Sequence, residues 1–207
     1  ARRGFDVNYL NPIIFYRPVE FSRGSPDNVL IGLNFKAMIL KKYQLYGQIL
    51  LDEFSLKEVK AGNGWWANKQ AAQIGWKFYR FLGIKNLVWQ NEFNLVRPYT
   101  YGHFTGEQSY THFAQPLAHP LGANFIENVQ FLSYRYKRWS FQGKILMSQY
   151  GADTSSASGQ TSNFGQNIFA GTAEIGSGPT MVPSIYGNYV LQGLKNTVLF
   201  TDLTVSW

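Results

Sequence analysis

The stretch NTVLFTDLTVSW, Asn196 to Trp207, decides how this chain reads. Leu199, Leu203, Val205 and Trp207 share one parity and Asp202, Thr204 and Ser206 the other, which is the alternation of a strand with one apolar and one polar face. An aromatic last residue is the expected ending for the closing strand of a membrane barrel. Tyr189 and Leu191 repeat the alternation one strand earlier, across the short turn Gly193-Leu194-Lys195, and so predict a closing hairpin.

Working outward, the same period recurs. Val29, Ile31, Leu33, Phe35, Ala37 and Ile39 oppose Asn34 and Lys36; after a turn at Lys41-Lys42, Tyr43, Leu45, Gly47, Ile49 and Leu51 oppose Gln44, Gln48 and Asp52. Ala72, Ile74, Trp76 and Phe78 oppose Gln73, Lys77 and Tyr79. Past Gly83-Ile84-Lys85, Leu87, Trp89, Phe93 and Leu95 oppose Gln90, Glu92 and Asn94. Val129 and Phe131 are expected on the apolar side against Asn128 and Gln130. Beyond Lys137-Arg138, Phe141, Ile145 and Met147 oppose Gln142, Lys144 and Ser148. A weaker, irregular strand is expected around Ile13, Phe15 and Val19, interrupted by Pro12 and Pro18. Short turns thus alternate with long connections at about 55–68, 97–123 and 151–179, as in an outer-membrane barrel with tight turns on one rim and long loops on the other. The last long connection, rich in Gly, Ser, Thr and Asn, is expected to be mobile.

Composition agrees. Charged residues make up 15% and aromatics 17%, yet mean hydropathy is slightly negative. No run approaches the roughly 20 apolar residues of a spanning helix. Tryptophans near strand ends fit a membrane interface. The prediction is all-β: an antiparallel transmembrane β-barrel region over residues 1–207, with eight clear strands and a ninth weak one. The absence of a leader at Ala1 and the polar inner faces suggest the C-terminal portion of a larger barrel in the bacterial outer membrane, its remaining strands supplied by an N-terminal remainder. A complete small barrel is the alternative.

The net charge of +7 favours acidic partners such as anionic polysaccharide or lipopolysaccharide phosphates. No Lys/Arg-rich block supports nucleic acid as a partner. With no cysteine, disulfides and thiolate metal sites are excluded. His103, His112 and His119, with Glu107 and Glu127, match no zinc spacing, so neither metal nor cofactor is expected. Asp52 and Glu92 form the one visible carboxylate pair for a glycosidase, the soluble β-sandwich alternative. They are expected instead to satisfy lysines in a polar lumen, and no catalytic residue is assigned. The 97–123 loop and its close gather Arg97, Tyr99, Tyr101, His103, Tyr110, His112, His119 and Asn124, aromatic faces and planar hydrogen-bonding groups that suit sugar rings. A folded plug packing its own aromatics is the competing reading.

The runs NEFNLVRPYTYGH, SYTHFAQPLAHPLGANF, DNVLIGLNF, LYGQILLDEF and WWANKQAAQIGWK resemble the Wzi-type capsule assembly family in its Bacteroidetes form, which includes gliding-motility relatives. The likeness runs from Asp27 to Trp207 and is sharpest at Arg97-Pro98-Tyr99, His119-Pro120-Leu121-Gly122 and Asn124-Phe125. It implies an outer-membrane barrel of about eighteen strands, within the known range of such barrels, that retains capsular polysaccharide as a lectin and has no enzymatic activity. A role in a motility or secretion assembly, through protein contacts, is the second expectation. The resemblance carries no residue-level binding motif, and the family's periplasm-side helical elements are not located in this sequence.

Overall fold

The computed structural model describes residues 28–172 and 180–207, so the irregular strand expected around Ile13, Phe15 and Val19 lies outside the described residues. Seven long strands form one antiparallel sheet: β1 (Ile31–Ile39), β2 (Tyr43–Leu51), β3 (Gln70–Tyr79), β4 (Leu87–Val96), β7 (Phe125–Tyr136), β8 (Trp139–Ala152) and β12 (Leu194–Ser206). They are hydrogen-bonded in the order β1-β2-β3-β4-β7-β8-β12. Between them lie a helix α1 (Leu56–Ala61) and short pairs β5 (Thr111–His112), β6 (Gln115–Pro116), β9 (Thr154–Ser155), β10 (Thr161–Ser162) and β11 (Thr180–Met181). The chain is all-β. Among the described residues the sheet is not closed, because β1 and β12 form its two edges and do not pair with each other.

Every neighbouring long pair runs antiparallel with continuous register, so the two faces can be followed across the sheet. One row reads Phe35, Gly47, Ile74, Phe93, Asn128, Met147, Leu199; another reads Ile39, Tyr43, Phe78, Trp89, Leu132, Gly143, Leu203. This is the apolar face, and no second layer covers it among the described residues: Leu33 is 69% exposed and Leu203 76%. Phe35 explains Gly47, since a Cβ there would lie 2.6 Å from the phenyl ring. The opposite face carries the row Asn34, Gln48, Gln73, Asn94, Glu127, Ser148.

The expected face assignment holds for six of the seven strands and reverses in β7. Glu92 pairs with Val129 and Phe93 with Asn128, which puts Val129 and Phe131 on the polar face and Asn128 and Gln130 on the apolar one. Both placements have a physical reason. Lys144 Nζ sits 5.6 Å from the Phe131 ring centre, a cation–π contact that suits a ring to a polar face. On the other side, Asn91 and Asn128 exchange side-chain hydrogen bonds of 3.2 and 3.1 Å, Gln130 Nε2 donates to Asn128 Oδ1 at 3.1 Å and Asn128 Nδ2 to the Glu92 carbonyl at 3.2 Å, so each of the three amides has a partner.

Reversals at one rim are short (40–42, 80–86, 137–138), and those at the other are long (52–69, 97–124, 153–193). The expected closing hairpin is absent: residues 189–193 belong to the last long connection, and β12 starts at Leu194, paired with Ala152 of β8. Tyr189 N–H donates to Gln192 Oε1 at 3.2 Å and Leu191 N–H to Asn124 Oδ1 at 2.7 Å, so side chains take the donors a strand would use. Within 151–179, residues 154–160 are exposed, whereas 161–172 pack against the rest of the molecule. Asn163 is 1% exposed and Ile168 3%, and Asp153 Oδ1 accepts the Phe164 N–H at 2.6 Å. Ile168 joins Ala71, Val96, Tyr101, Ala123 and Phe125 in the hydrophobic core, which lies where the three long connections meet the sheet.

Candidate functional site

The long connections fold over the polar face as one cap. Asn124, fully buried and at φ 56°, is its central tie: Nδ2 reaches the carbonyls of Gly151, Phe164 and Gln192 at 2.8, 3.2 and 2.9 Å, while Oδ1 takes the Leu191 N–H. Asparagine is among the few residues that adopt this left-handed conformation readily. Tyr99 is the second tie. Its hydroxyl donates to the Asn163 carbonyl at 2.9 Å and accepts from Gln192 Nε2 at 3.3 Å, its ring stands edge-on to Trp66, and burial pushes the phenol pKa up.

A buried charge cluster anchors the first connection. Lys69, 1% exposed, donates to the Gly102 carbonyl at 2.8 Å, pairs with Glu53 at 3.4 Å and lies over the Trp66 ring. Beside it Asp52 Oδ2 accepts the Tyr101 N–H at 3.0 Å, and Oδ1 is buried without a hydrogen-bond partner. Burial therefore raises the Asp52 carboxyl to about 6, although Lys69 pulls the other way.

Between cap and sheet lies a cavity of about 270 Å³. Gln48, Gln73 and Asn94 form its polar floor, in consecutive positions of one cross-strand row; Tyr101, Tyr110 and His119 form its roof. His119 is held at both nitrogens. The Leu121 N–H donates to Nδ1 at 3.2 Å, which assigns the proton to Nε2, and Nε2 donates to Glu127 Oε1 at 3.0 Å. Its ring stacks on Phe125 at 4.4 Å. Glu127 also accepts from Asn94 Nδ2 at 3.2 Å, so floor and roof are hydrogen-bonded through one carboxylate. Farther along the polar face the Tyr46 ring covers Gly75, and its hydroxyl donates to Glu92 Oε2 and accepts from Gln90, both at 2.8 Å.

The structure divides the eight predicted binding residues. Tyr101, Tyr110 and His119 come together around the cavity. Tyr99 and Asn124 are buried in the cap, and half-buried Arg97 donates to the Asn68 carbonyl at 2.9 Å, with burial lowering its pKa. His103 binds Gln108 Oε1 at 2.7 Å, while His112 is exposed on the β5–β6 hairpin beside Phe113. Gln48 and Gln73 are cavity residues that sequence reasoning misses, though their polar parity at the long-loop end of each strand marks them. Asp52 and Glu92 are parted. Glu92 is level with Tyr46 of β2, and Asp52 lies six residues farther along that chain, roughly 20 Å at strand rise, too far to flank one glycosidic bond. Glu92 accepts from Tyr46 and Asn94 rather than from a lysine of the polar face.

Set against family models, curated proteins and solved structures, the chain matches none of them.

Proposed function

We propose that this chain is part of an outer-membrane β-barrel that holds a surface polysaccharide non-covalently, in a role akin to capsule assembly, and that it performs no catalysis. One arrangement carries the reading: the sheet exposes an uncovered apolar face from Leu33 to Trp207, while its opposite face, beneath long loops, keeps a cavity lined by amides and aromatic rings. Burying one leucine side chain is worth roughly 1.5–3 kcal/mol, so an apolar face of this extent calls for hydrocarbon or protein against it. Bilayer hydrocarbon fits, because the opposite face is polar in the way a barrel lumen is. The edges of β1 and β12 then pair with further strands of the same barrel, since open edges do not persist in lipid.

The cavity suits a sugar residue. Tyr101, Tyr110 and His119 supply ring faces for C–H groups, and the amides of Gln48, Gln73 and Asn94 supply donors and acceptors for hydroxyls. Replacing Gln73 and Tyr110 together by alanine is expected to cut retention of the native surface polysaccharide in a pull-down by roughly tenfold, from the loss of two contacts worth about 1 kcal/mol or less each. His112→Ala, outside the cavity, is expected to change little. Unchanged retention in the double variant would remove the cavity from the site. Co-purification with motility or secretion subunits, and no glycan, would transfer the function to an assembly role.

A further inference from the structure

The short-turn rim carries a feature that polysaccharide binding does not use. Its three reversals contain Lys41, Lys42, Arg80, Lys85, Lys137 and Arg138 and no acidic residue, whereas the long connections hold six acidic residues against four basic ones. Immediately inside this rim, on the apolar face, lies a band of rings. Phe78 meets Tyr43 at 5.2 Å and Trp89 at 5.4 Å, Phe81 meets Trp89 at 5.1 Å, and Trp139 meets Trp207 at 6.4 Å.

Cations and rings converge in one groove of about 400 Å³ between the first two short turns, walled by Tyr43, Phe78 and Phe81 and flanked by exposed Lys42 and Arg80. The turns are held in a costly conformation. Leu40, Lys41, Arg80 and Leu82 all have φ between 49° and 56°, which non-glycine residues seldom adopt, and Leu40 and Leu82 are each 78% exposed. An aqueous surface gives no reason to project two leucines beside two cations. A headgroup boundary does: leucines and rings enter the acyl region, and cations stay level with phosphates.

We infer that this groove binds an anionic glycerophospholipid of the leaflet surrounding the short-turn rim, its phosphate between Lys42 and Arg80 and an acyl chain along Tyr43, Phe78 and Trp89. The inference rests on the barrel reading and adds lipid selectivity to it. The test reconstitutes the full-length protein in phosphatidylcholine vesicles carrying brominated phosphatidylglycerol or brominated phosphatidylcholine. Trp89 quenching is taken as the difference from Trp89→Phe. Phosphatidylglycerol is expected to associate about three- to tenfold more strongly than phosphatidylcholine. In a Lys42→Gln/Arg80→Gln variant that preference is expected to fall to parity. Lys57→Gln/Lys60→Gln, on α1 in a long connection, is expected to keep it. Equal quenching of the unaltered protein by the two lipids, or a preference that survives in the Lys42/Arg80 variant, would overturn the inference and leave the barrel standing. Quenching by neither lipid, with Trp89 open to aqueous iodide, would overturn the barrel and the inference with it.

Discussion

At one rim of the sheet the chain reverses within residues 40–42, 80–86 and 137–138; at the other it spends residues 52–69, 97–124 and 153–193 before returning. The short turns hold exposed cations and leucines in strained backbone with little tertiary support. The long connections bury polar groups, Asn124, Tyr99, Lys69 and Asp52, and give nearly every one a partner on a different connection. Shape at the first rim is local, set by turn geometry. Shape at the second is cooperative, so damage to one tie should spread through the cap while damage to a turn should stay where it is made.

The largest effect should come from the cap's centre. Asn124→Ala removes four hydrogen bonds, leaving the Leu191 N–H without its acceptor and the Gly151 and Gln192 carbonyls without this donor, while the Phe164 carbonyl keeps Gln192 Nε2; the expected loss is about 3 kcal/mol in thermal or denaturant unfolding. Gly151→Ala should match it, since the new Cβ would lie 1.8 Å from the Gln192 carbonyl oxygen and 2.6 Å from Asn124 Nδ2. A loss under about 0.5 kcal/mol in both variants, the range of an ordinary surface substitution, would break the contrast between the rims.

Asp52 sharpens the contrast with pH. Its carboxyl keeps a proton up to about pH 6 in the folded chain, while an unfolded aspartate releases it near about 3.9. The folded state therefore binds more protons between those values, and cap stability should fall as pH rises from about 4 to about 7. The protection factor at the Tyr101 amide, that is its exchange corrected for the intrinsic base-catalysed rate, should fall over that range. Asp52→Asn should flatten the profile, and a slope unchanged in that variant would assign the titration elsewhere.

A smaller effect is expected at the opposite rim. Gly83 has φ 79°, and nothing lies within 4 Å of where a Cβ would stand, so Gly83→Ala should cost only about 1 kcal/mol, from backbone conformation alone. Cooperative loss of the cap in this variant, seen as faster exchange at Tyr101, would show that the rims are coupled.

Much of the sheet is legible in the period of two, because in β1 to β4, β8 and β12 most apolar and polar residues separate by parity, with exceptions such as Asn91 on the apolar side and Phe200 on the polar side. In β7 they do not. Val129 and Phe131 attract an apolar assignment, and only the pairing of Glu92 with Val129 and the Lys144 contact on Phe131 reveal the opposite one. The cap is harder to read, because it is held by side chains bonded to backbone N–H groups and carbonyls, an interaction that leaves no periodic trace. For that reason Tyr189 and Leu191 pass for a strand, and the packing of residues 161–172 within the Gly/Ser-rich connection goes unseen. Half of the cavity is visible in sequence: Tyr101, Tyr110 and His119 stand out as aromatic groups in a loop. Gln48 and Gln73, on two neighbouring strands, become part of a site only when β2 and β3 pair and the loop folds above them.

The central claim is that hydrocarbon touches one face of the sheet and water or glycan the other. The natural absence of cysteine allows single Cys substitutions along β12, from 199 to 205, each spin-labelled and read by collision with oxygen and with a polar nickel chelate in bilayers. Labels at 199, 201, 203 and 205 should collide mainly with oxygen and those at 200, 202 and 204 mainly with the chelate, alternating residue by residue. Equal access to the chelate on both parities, or protection from both probes at 199 and 203, would contradict the account.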